Sequence, residues 1–277
     1  MAEDPLAWQI GPEVVVQTSA GSPVRPFMDT VFSLARVDLV EKPRYSVLLD
    51  AEELRNGALR VLADEMPVFR IERPEEGPPV IEKIFAHYCA RMCVEYAVFH
   101  AAALRINGKG LLLPAERGSG KSTLCHFLTR RGFEYLGDDL IFIHLDTLDL
   151  HAFPKAITLK SGAFDFVPEA ATYQDAVRGE VRYYTPTVGG NASFTYKDLK
   201  LVVLPNYAHD GINQTRQVLP EIIALSMVQQ TFGGLERDER TLDAISRFSE
   251  KPAYMIEYAH QDFAETAIRK LMGEPQL

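Results

Sequence analysis

The sequence predicts an α/β protein: a core with a mixed sheet and a phosphate-binding loop, preceded by a small N-terminal α/β or β-rich layer. Three observations predict it. An apolar run at Leu111–Leu113 feeds a glycine-rich turn, and a helix-forming run begins near Lys121. Another extended run, Val98–Ile106, ends at Asn107-Gly108, a strong hairpin signal, so the strand entering the turn has an antiparallel partner. Strand and helix patterns then follow one another toward the C-terminus.

In chain order, residues 1–70 show short apolar runs such as Glu13–Gln17 and Tyr45–Leu49, separated by turns, and a helical patch near Glu52–Ala63. The polar, Pro- and Gly-rich Glu72–Pro79 reads as a linker, which divides the chain into an N-terminal layer at 1–79 and a catalytic domain at 80–277. Ile81, Ile84, Phe85, Tyr88 and Met92 recur at helical spacing across Val80–Val94. After the turn, good helix formers run from Ser122 to Arg131 and stop at Gly132; Phe133–Gly137 then leads into Asp138-Asp139 and the apolar run Leu140–Leu145. A helix of about ten residues advances about 15 Å, and about five extended residues return about 16 Å. That brings the two aspartates back to the loop end of the sheet. Phe153–Lys160 opens a second half with a long, weakly periodic stretch, Pro168–Asn191, that carries Arg178, Arg182 and Gly189-Gly190 and reads as a lid or binding loop. Leu199–Leu204 is a buried strand; helices follow at Pro220–Gln230 and Glu239–Phe248, then a strand at Ala253–Tyr258 and a closing helix at Gln261–Met272.

Composition narrows the function classes. The 277 residues carry 38 acidic and 29 basic side chains, a net charge of −9, and no Lys/Arg run marks a nucleic-acid or membrane surface. The first residues have neither a basic region nor an apolar core of signal-peptide type, and no apolar run approaches the ~20 residues of a membrane span; the expectation is a cytoplasmic protein. Cys89, Cys93 and Cys125 are too few for a disulfide framework, and a structural zinc site needs four ligands, so buried thiols are expected.

The chemistry concentrates in Ala115–Thr123. Glu116, Arg117, Gly118, Ser119, Gly120, Lys121, Ser122 and Thr123 match the phosphate-loop pattern G-x-x-x-x-G-K-[ST], except that Ala115 stands at the first glycine. Gly118 and Gly120 let successive backbone N–H groups converge on phosphate oxygens at the positive end of the following helix. Lys121 would add a charge for the β/γ-phosphates and Ser122 a ligand for Mg²⁺, so ATP with magnesium is the expected nucleotide. Lys155 and Lys160 are further candidates for phosphate contact, Arg178 and Arg182 for charge-stabilising lid residues. His126, His144 and His151 read as structural.

With His100-Ala101 before the hairpin, Ala115–Ser122 in the loop and Gly132–Asp139 after the helix, the chain resembles bacterial HPr kinase/phosphorylase, and more closely the short HprK-related kinases, whose Phe-Pro-(basic)-x-x-x-Leu-Lys element corresponds to Phe153–Lys160. The resemblance implies a P-loop kinase core of the phosphoenolpyruvate-carboxykinase/HPr-kinase type that phosphorylates a serine of a protein or peptide substrate. It implies Asp139 as the base accepting the hydroxyl proton, Asp138 as a Mg²⁺ ligand and His100 beside the transferred phosphoryl. The Glu-Ile-Arg-Gly-rich signature of HPr kinases is not found, so HPr as substrate and the reverse reaction do not follow. A homo-oligomer is left open, as are a kinase acting on a small molecule and a nucleotide-binding regulator that transfers nothing.

Overall fold

The computed structural model describes residues 6–37, 43–187, 195–197, 199–232 and 239–274. The chain divides into two compact units, each built from two stretches of sequence: Met1–Cys93 with Pro154–Thr185, and Val94–Phe153 with Pro186–Leu277. The division falls elsewhere than the expected boundary at 79/80.

The first unit begins with β1 (Leu6–Gln9), β2 (Val14–Thr18), α1 (Arg25–Phe32), β3 (Arg36–Val37), β4 (Tyr45–Glu53), β5 (Leu59–Ala63) and β6 (Met66–Ile71). The strands form one sheet in the order β3-β1-β2-β4-β5-β6, in which only the β2–β4 pairing is parallel. Glu52–Ala63 is therefore not helical. It spans the end of β4, a turn through Asn56-Gly57 and β5, with Glu53 opposite Leu59 and Gly57 at φ +80°. Asn-Gly is a hairpin signal, and the helical reading overlooked it. The expected linker is also structured. Helix α2 (Gly77–Met92) starts inside it, with Pro78 and Pro79 in the first turn, where a missing N–H costs nothing. Gly77 lies against the Phe27 ring so closely that a Cβ there would stand 2.6 Å from it.

The second unit opens with β7 (Tyr96–Phe99), β8 (Ala101–Ile106), β9 (Lys109–Pro114), α3 (Lys121–Thr129), β10 (Glu134–Gly137), β11 (Ile141–His144) and β12 (Leu150–Ala152). The extended run Val98–Ile106 breaks at His100, because β7 and β8 belong to different sheets. Asn107 (φ +48°) and Gly108 (φ +78°) make the tight turn between β8 and β9 that their sequence predicts.

The chain then returns to the first unit for β13 (Ile157–Lys160), β14 (Thr172–Asp175) and β15 (Gly179–Tyr184), a three-stranded antiparallel sheet in the order β13-β15-β14. The described part of the stretch read as irregular is thus mostly a hairpin; Gly189-Gly190 and the end of that stretch lie outside the described residues. This sheet joins the unit's first stretch through the Ala156 N–H, which donates to the Val31 carbonyl at 2.6 Å, and through salt bridges from α2.

The second unit is completed by β16 (Thr195–Tyr196), β17 (Leu199–Tyr207), β18 (Gln214–Gln217), α4 (Pro220–Gln229), α5 (Glu239–Ser249), β19 (Ala253–Tyr258) and α6 (Gln261–Met272). Its six-stranded sheet runs β10-β8-β9-β17-β19-β18, and a four-stranded sheet runs β16-β12-β11-β7. The larger sheet is mixed, as expected: β9, β17 and β19 are parallel, while β8 and β18 are antiparallel to their neighbours. Phe99, Leu112, Ile141, Ile143, Val202, Ile223, Met227 and Phe248 meet in one core contributed by both sheets, α4 and α5. The central strands β8 and β9 are buried along almost their whole length, which is why they read as continuous apolar runs instead of alternating ones. Among the described residues no helix is long and apolar enough to cross a membrane. The three cysteines are buried and form no disulfide among the described residues, and burial pushes the Cys93 thiol up to about 12.

Candidate functional site

Strand register assembles the site. Strand β10 pairs antiparallel with β8, and β8 antiparallel with β9, so β10 and β9 point the same way. Asp138-Asp139 therefore emerges beside the turn that follows β9. The pairing of Ala101 with Pro114 places His100 next to the start of that turn. Parallel neighbours β17 and β19 deliver Tyr207 and Tyr258 from their own carboxyl ends, the edge at which open α/β sheets bind ligands.

Gly118 at φ +93° and Gly120 at φ +84° adopt the left-handed backbone that the pattern requires. Ala115 is buried and has no positive φ, so a side chain is tolerated at the pattern's first glycine. A Cβ on Gly118 would meet no atom within 4 Å, whereas one on Gly120 would stand 2.8 Å from the Tyr207 Cβ and 3.0 Å from the Tyr258 hydroxyl. The loop is held from behind by the Tyr207 N–H, which donates to the Ser119 carbonyl at 3.1 Å. Glu116, Arg117 and Gly118 are exposed; Ser119, Gly120, Ser122 and Thr123 are half-buried at the start of α3.

Lys121 is buried, and its Nζ donates to Asp138 Oδ1 at 2.8 Å and to Asp139 Oδ1 at 3.3 Å. Burial opposes its charge, but the two carboxylates outweigh burial and hold its pKa above the ordinary lysine value. His100 Nδ1 lies 3.0 Å from the Asp139 carbonyl and 3.9 Å from its carboxylate. A carbonyl has no proton to give, so Nδ1 donates and Nε2 carries the lone pair. Burial, reinforced by Lys121, lowers the His100 pKa to about 4, against the opposing pull of Asp139 and Asp138, and the ring is neutral at physiological pH. Asp139 itself sits at φ +71°, an uncommon conformation that turns its carbonyl to His100 and its carboxylate to Lys121.

Among the described residues, two polar atoms here are buried without a protein partner: Asp138 Oδ2 and Ser119 Oγ. A cation beside the first and a phosphate oxygen beside the second would satisfy both, so the residues fit a magnesium nucleotide. Among the described residues no group of three or more His, Cys, Asp or Glu side chains could hold a metal.

The structure thus brings together His100, Lys121, Asp138, Asp139 and the loop. The other candidates have different neighbours. Lys155, fully buried in the first unit, donates to Thr158 Oγ1 at 2.7 Å and pairs with Glu82 at 3.3 Å. Lys160 is exposed. Arg178 binds Glu82 and Asp175, and Arg182 donates to the carbonyls of Phe164, Val167 and Pro168. Sequence reasoning missed the segment after α4. The Phe232 N–H donates to the Val98 carbonyl and the His100 N–H to the Gln230 carbonyl, both at 2.7 Å, so this segment lines the loop end of β7. Gln229-Gln230-Thr231 carries no motif that could have announced it.

The chain is 27% identical over 118 residues to the HPr kinase/phosphorylase of Nitrosomonas europaea. It is 30% identical over 81 residues to a protein of Oceanobacillus iheyensis named "Putative HPr kinase/phosphorylase 2". The chain resembles HPr kinase/phosphorylases. The likeness takes in 42% and 29% of this chain, and the chain spans about a third and a quarter of those relatives, 36% and 26% of their lengths. No family model matches. The solved Hpr(Ser) kinase/phosphatase of Coxiella burnetii is 16% identical, with 64% of this chain and 93% of that one covered at a TM-score of 0.30.

Proposed function

We propose that the chain is an ATP- and Mg²⁺-dependent kinase that transfers the γ-phosphoryl of ATP to a serine hydroxyl of a protein or peptide. The observation that carries the reading is the buried Lys121 held between Asp138 and Asp139 at the mouth of a glycine-rich loop, with a neutral His100 against Asp139. Phosphoryl transfer asks for positioning and charge neutralisation more than for covalent chemistry, and these parts supply both.

The loop N–H groups and the N-terminus of α3 bind the phosphates, and Lys121 neutralises the β/γ oxygens. Asp138, through its unpartnered oxygen, and Ser122 would hold Mg²⁺, which when bound supplies positive charge to the phosphate oxygens. The serine oxygen bonds to the γ-phosphorus as the bond from that phosphorus to the β–γ bridging oxygen breaks. The electron pair leaves with ADP, and the hydroxyl proton passes to the Asp139 carboxylate. Asp139 is oriented for this by Lys121 and, through its backbone, by His100.

The test is mass spectrometry of source-cell protein and peptide pools incubated with the enzyme and ATP-Mg²⁺, beside Lys121→Ala and Asp139→Asn variants whose folding is checked by thermal melting. The expected result is a gain of one phosphoryl on serine with the parent chain, none with Lys121→Ala, and none with Asp139→Asn despite near-normal nucleotide binding. Undiminished transfer by Lys121→Ala would falsify the assignment.

A further inference from the structure

The strand that enters the loop, β9, has β8 as one neighbour and β17 as the other. On the β8 side stand His100, Asp138 and Asp139, the groups that the kinase reading gives to the transferred phosphoryl and its metal. On the β17 side stand Tyr207 and Tyr258, at the carboxyl ends of β17 and β19, and that reading gives them no part. We propose that Tyr207, braced by Tyr258, is the platform on which the base of the nucleotide stacks; this rests on the nucleotide-binding reading above.

Placement comes first. A triphosphate lies across the mouth of a glycine-rich loop, so with its γ end at Lys121 and Asp139 its nucleoside end leaves toward the opposite flank, which is the β17 side. Tyr207 meets the loop at that flank. Its N–H donates to the Ser119 carbonyl at 3.1 Å, and a Cβ on Gly120 would stand 2.8 Å from its own Cβ. The ring is therefore anchored beside the residue that precedes Lys121, where the loop passes into α3.

The two rings identify the chemistry of the occupant. Tyr258 is buried, whereas Tyr207 is 39% exposed, and the rings lie 5.6 Å apart between centroids at a tilt of 57°. One ring thus holds the other, which keeps aromatic surface open to solvent beside the phosphate cradle. Every nucleobase presents a flat π-face, and stacking on an aromatic side chain is the form of recognition that asks least of the base edge. The platform is also held in place before anything binds. The Tyr207 hydroxyl lies 3.4 Å from His209 Nδ1, the Ala208 N–H donates to the Tyr258 carbonyl at 3.1 Å, and the Ala259 N–H donates to Asn213 Oδ1 at 2.9 Å. A ring already ordered loses little freedom when a ligand arrives. At the same edge Asn206 and Gln214 spend amide N–H groups on Glu257. Recognition then rests on ring area, and a purine, with two fused rings, is favoured over a pyrimidine.

The experiment measures by calorimetry the affinity of the full chain for ADP-Mg²⁺, CDP-Mg²⁺ and pyrophosphate-Mg²⁺, the last having phosphates and no base. Tyr207→Leu keeps carbon atoms against Gly120 and removes the ring; Tyr207→Phe keeps the ring and removes the hydroxyl. The parent should bind ADP at least fivefold more tightly than CDP. Tyr207→Leu should weaken ADP at least tenfold, erase the preference over CDP and leave pyrophosphate within twofold, while Tyr207→Phe stays within threefold of the parent for ADP. Equal losses of ADP and pyrophosphate affinity in Tyr207→Leu make Tyr207 a support of the loop and overturn the inference. Unchanged ADP affinity puts the base elsewhere and overturns it too, and in both cases the nucleotide-binding reading survives. A parent that binds neither ADP nor pyrophosphate overturns that reading together with the inference. Should Tyr207→Leu fail to fold, Tyr207→Trp reports stacking directly: ADP should quench the added indole fluorescence and pyrophosphate should not, and quenching by both or by neither overturns the platform.

Discussion

Gly118 and Gly120 share a left-handed backbone but face different surroundings, and that separates two roles often merged in a glycine-rich loop. An alanine at Gly120 would be pressed against Tyr207 and the Tyr258 hydroxyl, so Gly120→Ala should lower the stability of the second unit by about 1–3 kcal/mol through strain and overpacking. An alanine at Gly118 meets open space, so Gly118→Ala should cost about 1 kcal/mol of stability through backbone strain alone while placing a methyl group in the phosphate cradle. Urea unfolding with and without ADP-Mg²⁺ checks both. The expected pattern is a larger stability loss for Gly120→Ala and a larger loss of nucleotide affinity for Gly118→Ala; the reverse order would remove Gly118 from the cradle. At this scale the sequence was informative: Lys121, Asp138 and Asp139 could be placed together from helix and strand lengths. The pattern's first glycine was not needed at Ala115, because that residue does not adopt the backbone which demands glycine.

Elements whose ends are fixed by local chemistry were legible, and elements fixed by long-range pairing were not. The Asn107-Gly108 hairpin, α3 before Gly132, β19 and α6 all follow from turn residues or an amphipathic period within about a dozen residues. Strand β6 and the β14–β15 hairpin did not, because β6 has mostly exposed side chains and β14–β15 is held by charges brought from α2. The same charges hold Lys155 and Arg178, while Arg182 is held by backbone carbonyls: cationic side chains can be structural, and nothing local distinguishes that use from phosphate contact. Glu82 on α2 accepts from both nitrogens of the Arg178 fork at 3.1 and 2.7 Å, from the Tyr183 hydroxyl at 2.7 Å and pairs with the buried Lys155. Removing the carboxylate leaves the buried Lys155 ammonium without its counter-charge, so Glu82→Ala should destabilise the first unit by about 3–5 kcal/mol. Chemical unfolding followed by circular dichroism measures it, and a change under 1 kcal/mol would mean that the cluster is a solvated surface network.

At the scale of the whole molecule, acid should be the weakest condition. Burial lowers the pKa of His126, helped by Arg130, to about 4, and burial lowers that of His151 to about 4 against the pull of Asp149. Both bind protons more weakly folded than unfolded, so their contribution is complete above the ordinary histidine value of about 6.5 and is lost as pH falls toward 4. Asp175 adds a second phase. Burial would raise its pKa, but hydrogen bonds from Arg178, Lys83 and the Val177 N–H hold it well below the usual carboxylate range, so its contribution persists above about 3.8 and disappears below. Melting temperature against pH should be flat near neutrality, decline from about 6.5 to 4 and steepen further below; a flat profile to pH 4.5 would contradict neutral burial of the two histidines. The chain also passes back and forth between its two units, after Cys93, after Phe153 and after Thr185. During synthesis the first 93 residues leave the ribosome before the segment that supplies Lys155, Asp175 and Arg178 exists, so Glu82 waits for its partners while residues 94–153 emerge. Neither unit corresponds to a continuous stretch of gene. A clone cut at codon 80 would sever helix α2 within its first turn and part most of it from the first unit's sheet, and expression of either half alone should yield material that no single truncation can rescue.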